Sequence, residues 1–321
     1  MSDRPVLLLT RRLPEAVEAR ASRDYDALLN ADDSQYDADA LISKSAQADA
    51  ILTCSTEKFS AEVIEQLDAR VRAIATFSVG YEHIDVAAAA ARGITVTNTP
   101  DVLTDATADI ALLCLLGAAR RQHESTAMLR ESRWGRWDAT SLLGAHVTGK
   151  RLGILGMGRI GRAVAKRARA FDMEIHYSNR SQLSAELEQG AMFYQNPEDM
   201  LPNAQFLSIN CLSTPETHQF LNADRIAVLP DGAVVVNTAR GDIVDDEALI
   251  AAAKSGKVSG IGLDVYEGEP NFHKGYLDLP NAFLLPHIGS ATVDTRDAMG
   301  FRALDNLDAI FAGNQPEDKL T

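Results

Sequence analysis

The chain has 321 residues, enough for about two domains, and 46% of them are hydrophobic, so a sizeable core is available. Lys plus Arg number 31 against 45 Asp plus Glu, a net charge of -14, which argues against nucleic acid or an anionic membrane as a partner. No run approaches the roughly 18 apolar residues of a membrane span, the opening apolar run is too short for a secretion signal, and Cys54, Cys114 and Cys211 read as scattered free thiols, which together point to the cytoplasm.

Residues 6–99 alternate short apolar runs with helical spacing. Strands are predicted at 6–10, 50–54, 73–77 and 94–98, with helices at 61–69 and 84–92, the second stopped by Gly93. Such alternation is the mark of a parallel sheet with crossover helices. Turn chemistry at Asn98-Thr-Pro-Asp101 breaks the pattern. A long helix follows over 105–121; it carries an apolar middle and reads as a helix joining two domains, buried on most sides. A second helix, 124–131, precedes Ser132-Arg-Trp-Gly-Arg-Trp137, which holds both tryptophans.

From residue 152 the alternation resumes. Strands are predicted at 152–155, 174–178, 191–194, 206–210, 233–238, 260–265 and 283–285. Helices are predicted at 159–171, at 245–254 closed by Gly256, and at 294–311. The fold class is therefore α/β, with two doubly wound parallel sheets of which the second is the larger.

The strand at 152–155 runs straight into Gly156, Gly158 and Gly161, at G-x-G-x-x-G spacing, and then into a helix. Strand, glycine turn and helix in that order form a dinucleotide cradle, with the pyrophosphate at the helix N-terminus. The next strand ends Ser178-Asn-Arg-Ser181, where an NAD site places an acid for the ribose 2′-hydroxyl. An amide beside a guanidinium suits a 2′-phosphate instead and favours NADPH, with NADH possible if Arg180 is only a solvated surface charge.

Three further segments sit past predicted strand ends, where open α/β sheets bind ligands. Arg240, beside Gly241, is placed either to hold a carboxylate and polarise a carbonyl or to form a surface ion pair. Asp264, Glu267 and Glu269 lie close in sequence but lack the histidine spacing of a metal site, so no metal is expected. His287 follows Leu284-Leu-Pro286, and a nearby carboxylate would orient its ring and favour its charged form. His83, His123, His146, His176, His218 and His273 read as ordinary. Neither a G-x-S-x-G elbow nor a cysteine in an electropositive turn offers a nucleophile.

Six stretches in order resemble the D-isomer-specific 2-hydroxyacid dehydrogenase family: residues 77–85, residues 98–109, the glycine fingerprint, Asn237-Thr-Ala-Arg-Gly241, residues 264–270 and residues 286–292. The Asn-Arg-Ser ending and Asn98-Thr-Pro-Asp-Val-Leu-Thr104 are similar to the glyoxylate/hydroxypyruvate reductase group. The resemblance implies a smaller flavodoxin-like substrate domain, residues 1–99 with 290–321, and a Rossmann cofactor domain, residues 100–289, with a cleft between them. It also implies a homodimer through the cofactor domain around residues 105–148, with Trp134 and Trp137 as interface anchors or, alternatively, at the edge of an active site.

By the same resemblance Arg240 binds the substrate carboxylate and carbonyl, His287 exchanges the proton and Glu269 holds His287. Backbone amides of Val79 and Gly80 cradle the substrate carboxylate, and Ser290 reaches its far end. Thr107, Gly156, Gly158, Arg159, Ile160, Gly161, Asn179, Arg180, Ser181, Cys211, Thr217, Thr238, Asp264, His287 and Gly289 line the cofactor. One departure is Cys211-Leu-Ser-Thr214, where many relatives carry a proline after the cysteine. The function implied is reduction of a small 2-oxo acid, glyoxylate or hydroxypyruvate, with D-lactate, phenyllactate and 3-phosphoglycerate dehydrogenases as alternatives. An NAD(H)-responsive binding protein is the alternative outside enzymes.

Overall fold

The computed structural model describes residues 4–321; the first three residues of the 1–99 segment lie outside the described residues. By its internal contacts the chain divides into two units. One contains the residues up to Leu103 together with Ser290–Thr321, and the other is Thr104–Gly289.

In chain order the first unit is built from β1 (Val6–Leu9), α1 (Glu15–Asp24), β2 (Asp26–Leu28), α2 (Ala38–Ser45), β3 (Ala50–Thr53), α3 (Ala61–Gln66), β4 (Ala73–Thr76), α4 (Val86–Ala91) and β5 (Thr95–Thr97). The second contains α5 (Thr104–Ala119), α6 (Gln122–Arg130), β6 (Arg151–Leu155), α7 (Arg159–Arg169), β7 (Glu174–Ser178), α8 (Ala185–Glu188) and β8 (Met192–Tyr194). It continues through α9 (Pro197–Met200), β9 (Phe206–Ile209), α10 (Ala223–Val228), β10 (Ala233–Asn237), α11 (Asp246–Ser255), β11 (Val258–Leu263) and β12 (Ala282–Leu284). The chain then returns to the first unit with α12 (Val293–Phe311).

Both sheets are parallel throughout. The five strands of the first run β2-β1-β3-β4-β5, and the seven of the second run β12-β11-β10-β9-β6-β7-β8. These are the two common doubly wound orders, each reversing direction beside its first strand. The central strands are buried on both faces, as a sheet covered by helices on both sides requires. This burial is why they stand out in the sequence as unbroken apolar runs.

Glycines set how closely the helices lie on the larger sheet. A Cβ on Gly262 would fall 2.6 Å from the Cys114 carbonyl oxygen, and one on Gly260 2.8 Å from that of Ala118. The small residues of β11 thus let α5 lie almost on the strand. α5 is buried along this contact at Ala108, Ala111, Cys114, Leu115 and Ala118. No helix among the described residues is long and apolar enough to cross a membrane.

The segment between β1 and β3 departs from the sequence reading, which placed no element there. α1 buries only Val17 and Ala21, and α2 only Leu41 and Ser45, so neither shows a full apolar stripe. β2 is a three-residue edge strand whose residues are all half-buried. The strand predicted at 260–265 starts earlier, at Val258, and ends at Leu263, which leaves Asp264 just past its end.

Candidate active site

The carboxyl ends of the larger unit's strands carry most of the candidate residues. β6 turns at Gly156, whose φ is +91° and whose added Cβ would lie 2.5 Å from the Cys211 backbone nitrogen. Only glycine fits there. An added Cβ on Gly161 would fall 2.4 Å from the Gly156 carbonyl oxygen, so the first turn of α7 rests directly on the strand end. Gly158 caps α7 with no side-chain hydrogen bond and has open space where a Cβ would stand. The helix thus begins at Arg159, Ile160 and Gly161 with room for an anion at its positive end.

Two polar atoms nearby in the chain's topology are buried without a partner. They are the Thr238 hydroxyl, past β10, and the Asn210 side-chain oxygen, past β9. Leaving such atoms unpaired is costly, and a ligand rich in donors and acceptors would satisfy them. The open helix end, the crowded glycines and these two atoms fit a dinucleotide.

Past β7, Asn179 Oδ1 accepts the Met157 N–H at 2.6 Å, so this side chain braces the glycine turn itself. Arg180 and Ser181 are exposed, and the Arg180 carbonyl accepts from Gln195 Nε2 at 3.2 Å. The loop after β9 lacks the proline of many relatives, but it is tied down in other ways. Ser213 Oγ donates to Asp242 Oδ2 at 2.5 Å, and Thr217 Oγ1 donates to the Leu212 carbonyl at 2.7 Å and accepts the Thr214 N–H at 2.8 Å. Burial pushes the Cys211 thiol up to about 12, which makes it an inert packing group.

The candidate catalytic residues converge on one segment of this unit. His287 Nδ1 lies 2.7 Å from Glu269 Oε2, with side-chain exposures of 46% and 32%. The other oxygen of Glu269, Oε1, accepts the Tyr266 N–H at 2.7 Å. Burial alone would raise the Glu269 pKa, but hydrogen bonding to His287 and its charge, the Tyr266 amide and the Arg240 charge together hold it below the ordinary value. His287 has φ +53°, in the left-handed region. The two residues after it are clamped: Asp264 Oδ1 accepts the Ile288 N–H and Oδ2 the Gly289 N–H, both at 2.7 Å. Burial pushes the Asp264 carboxyl above its usual range, against the pull of those amides. Thr107 also meets this corner, since its Oγ1 would lie 3.5 Å from a Cβ on Gly289.

Arg240 reaches the same segment through its neighbour. A Cβ on Gly241 would fall 1.8 Å from the Tyr266 carbonyl carbon and 2.1 Å from the Glu267 nitrogen. Backbone therefore packs on backbone, and any side chain at 241 would push the Arg240 loop off the Glu269 loop. Asn237 Nδ2 donates to the Arg240 carbonyl at 2.8 Å and holds the loop from the strand side.

In the smaller unit, Val79 and Gly80 follow β4. The Val79 carbonyl accepts from Asn98 Nδ2 at 2.8 Å, and the Gly80 carbonyl from Ser78 Oγ at 2.6 Å. Ser290 opens the stretch leading to α12, and its carbonyl accepts the Thr292 N–H at 2.8 Å.

With this geometry in hand, comparison with known proteins is decisive. Residues 112–289 match the family model for the D-isomer specific 2-hydroxyacid dehydrogenase NAD binding domain. The chain is 46% identical over 309 residues to the glycerate dehydrogenase of Hyphomicrobium methylovorum, covering 96% of each. The chain belongs to the D-isomer specific 2-hydroxyacid dehydrogenase family. It is also 41% identical to the glyoxylate reductase of Thermococcus kodakarensis, over 98% of this chain and 95% of that one. The NADPH-dependent glyoxylate/hydroxypyruvate reductase of Sinorhizobium meliloti, solved with NADP and malonate, superposes with a TM-score of 0.89 at 33% identity, over 99% of this chain and 97% of that one.

The protein is thus an oxidoreductase of the 2-hydroxyacid dehydrogenase class with an NAD-binding domain. Four residues beside the candidate residues of one unit or the other escaped the sequence reading. Tyr266 supplies the amide that fixes Glu269, and its hydroxyl donates to the Leu285 carbonyl at 2.9 Å, just before His287. Asn237 and Asn98 brace loops from beneath, and Asn210 offers a buried unpaired oxygen. An asparagine at or just past the carboxyl end of a strand is the only signal for the last three, and it is shared with many turns.

Proposed function

We propose that the protein is an NADPH-preferring reductase of small 2-oxo acids, with glyoxylate and hydroxypyruvate as its substrates. The observation that carries this reading is the Glu269–His287 pair at 2.7 Å, with the Arg240 loop packed on the same segment. A proton-exchanging pair with a guanidinium whose charge reaches it is what carbonyl reduction asks of a protein.

The glycine turn, the α7 N-terminus and the loops ending in Asn179–Ser181, Cys211–Thr217 and Thr238 would hold the dinucleotide. When bound, it supplies the hydride that adds to the substrate's carbonyl carbon. Arg240 holds the carbonyl oxygen and the carboxylate, and takes up the negative charge that grows on that oxygen. His287 gives its proton to the same oxygen from Nε2, because Nδ1 is engaged by Glu269. Glu269 keeps the ring oriented through its contact with Nδ1. The Val79 and Gly80 amides receive the substrate carboxylate, with Ser290 toward the far end. Asp264 sets the position of His287 by clamping the two amides that follow it.

Support for the cofactor comes from the end of β7, where Ser178, Asn179, Arg180 and Ser181 present no carboxylate to repel a 2′-phosphate. The relative from S. meliloti is described as NADPH-dependent. Support for the substrate comes from relatives named for glycerate and glyoxylate, since oxidising the 2-hydroxyl of glycerate yields hydroxypyruvate. The unit carrying α6 exposes Leu129, Trp134, Trp137 and Leu143, each at least 60% exposed, and a second copy of the chain is the partner we assign to them. Loss of NADPH absorbance with glyoxylate, hydroxypyruvate, pyruvate and phenylpyruvate tests the reading. Turnover fastest with glyoxylate and hydroxypyruvate supports it; preference for phenylpyruvate, or a higher kcat/KM with NADH in the same assay, overturns the corresponding part.

A further inference from the structure

The loop that follows β4 is pinned by three consecutive carbonyls. Ser78 O accepts the Thr99 N–H at 3.0 Å, Val79 O accepts Asn98 Nδ2 and Gly80 O accepts Ser78 Oγ. A peptide group is planar and trans, so fixing the carbonyl of one residue also aims the N–H of the next. Gly80 therefore stands between two fixed planes, Val79–Gly80 and Gly80–Tyr81.

The second of those planes is held by a relay that ends on a histidine. Ser78 Oγ lies 2.7 Å from Thr76 Oγ1, which lies 3.0 Å from His83 Nε2. The direction of the relay is forced. A carbonyl only accepts, so Ser78 spends its single hydroxyl proton on Gly80 O. Thr76 must then donate to Ser78, and His83 Nε2–H must donate to Thr76. Donation runs one way, from the imidazole through two hydroxyls to the Gly80 carbonyl, and each bond polarises the next.

We infer that His83 is a positioning residue for the substrate: acting through Thr76 and Ser78, it fixes the Gly80–Tyr81 peptide, the plane that follows the Val79 and Gly80 amides, and so keeps Gly80 from turning those amides, aimed by Thr99 and Asn98, away from the substrate carboxylate. This rests on the proposed role of the Val79 and Gly80 amides. The carboxylate contact is equal in the bound substrate and the transition state, so loosening it raises KM and leaves kcat in place.

The test uses the full-length enzyme with NADPH and glyoxylate. His83→Ala and Thr76→Val each raise KM for glyoxylate about five- to tenfold, the factor one net hydrogen bond supports. Neither changes kcat, KM for NADPH or the melting temperature by a comparable amount. The double variant is no worse than either single one, because both cut the same relay. His83→Gln, which can offer an N–H donor of similar reach, restores KM to within about twofold of the parent. Unchanged KM in the single variants, additive losses in the double variant, or a failure of His83→Gln to rescue overturns the inference. Amide NMR of the unmodified protein with oxalate separates the two layers. Should oxalate leave Val79 and Gly80 unmoved, the carboxylate loop itself is misassigned and the inference falls with it. Should both amides respond while the variants keep the parental KM, only the relay is wrong.

Discussion

Glu269→Gln removes one charge from the candidate site and keeps the shape of the side chain. In the native protein the carboxylate faces His287 Nδ1 at 2.7 Å, with both side chains partly exposed. At that separation two unit charges attract by about 1.5 kcal/mol in a water-like medium, and by roughly twice that at half its dielectric constant. Exposure and salt trim the larger figure, so about 1–2 kcal/mol of attraction between the pair goes with the charge, together with the orienting bond to Nδ1. Reduction needs His287 held toward the substrate oxygen, so kcat for glyoxylate reduction at one fixed pH should fall about tenfold or more, with KM for NADPH changed far less. Stability at acid pH changes too. Glu269 is held below its ordinary value in the folded protein, so its ionised form contributes stability that is full above the ordinary glutamate range. That contribution is lost as pH falls through the lower folded value, and the variant should lack this acid-side slope in melting temperature. A variant that keeps the parental kcat, or that keeps the acid-side slope in melting temperature, would falsify the role of Glu269 as the ionised partner that holds His287.

Three further outcomes follow from the geometry. Arg180→Ala should raise KM for NADPH about tenfold or more while leaving KM for NADH within about twofold, the loss of one charge-assisted contact to a 2′-phosphate; equal changes for both cofactors would make Arg180 a surface charge. Gly241→Ala places a Cβ 1.8 Å from the Tyr266 carbonyl carbon, and should cost about 1–3 kcal/mol of stability in chemical denaturation, with activity lost beyond that by displacement of Arg240; a stable, active variant would contradict the close packing. Asp264→Asn turns one of two acceptors into an NH2 group facing an N–H donor. Steady-state kinetics should then show kcat falling more than cofactor affinity, as the left-handed turn at His287 loosens, and the opposite balance would make Asp264 chiefly a cofactor ligand.

Much of the architecture was legible because it rests on local rules. Strands buried on both faces must be apolar at every position, so β3, β4, β9 and β10 announce themselves. Helix ends at Gly93 and Gly256, with φ of +72° and +83°, are required by backbone sterics alone. The glycine turn after β6 is legible for the same reason, and it marks the helix end where an anion is favoured. α1, α2 and β2 were not, because an edge strand and thinly buried helices carry too few apolar residues to leave a period.

Long-range packing decided the rest. By composition and spacing Asp264, Glu267 and Glu269 are three neighbouring acids with nothing to rank them, and only the family resemblance singles out Asp264 and Glu269. Folded, Asp264 is buried against the amides after His287, Glu269 meets the His287 ring, and Glu267 is left exposed. The glycine at 241 is needed because the Tyr266 backbone arrives there from another strand end. His83 looked ordinary, and its relay exists only because β4 and the turn after it bring two hydroxyls into line. Composition and periodicity determine which segments become strands and helices, since those depend on neighbours along the chain. Which side chains meet at the strand ends depends on strand order and close approach, and only the tertiary structure supplies these.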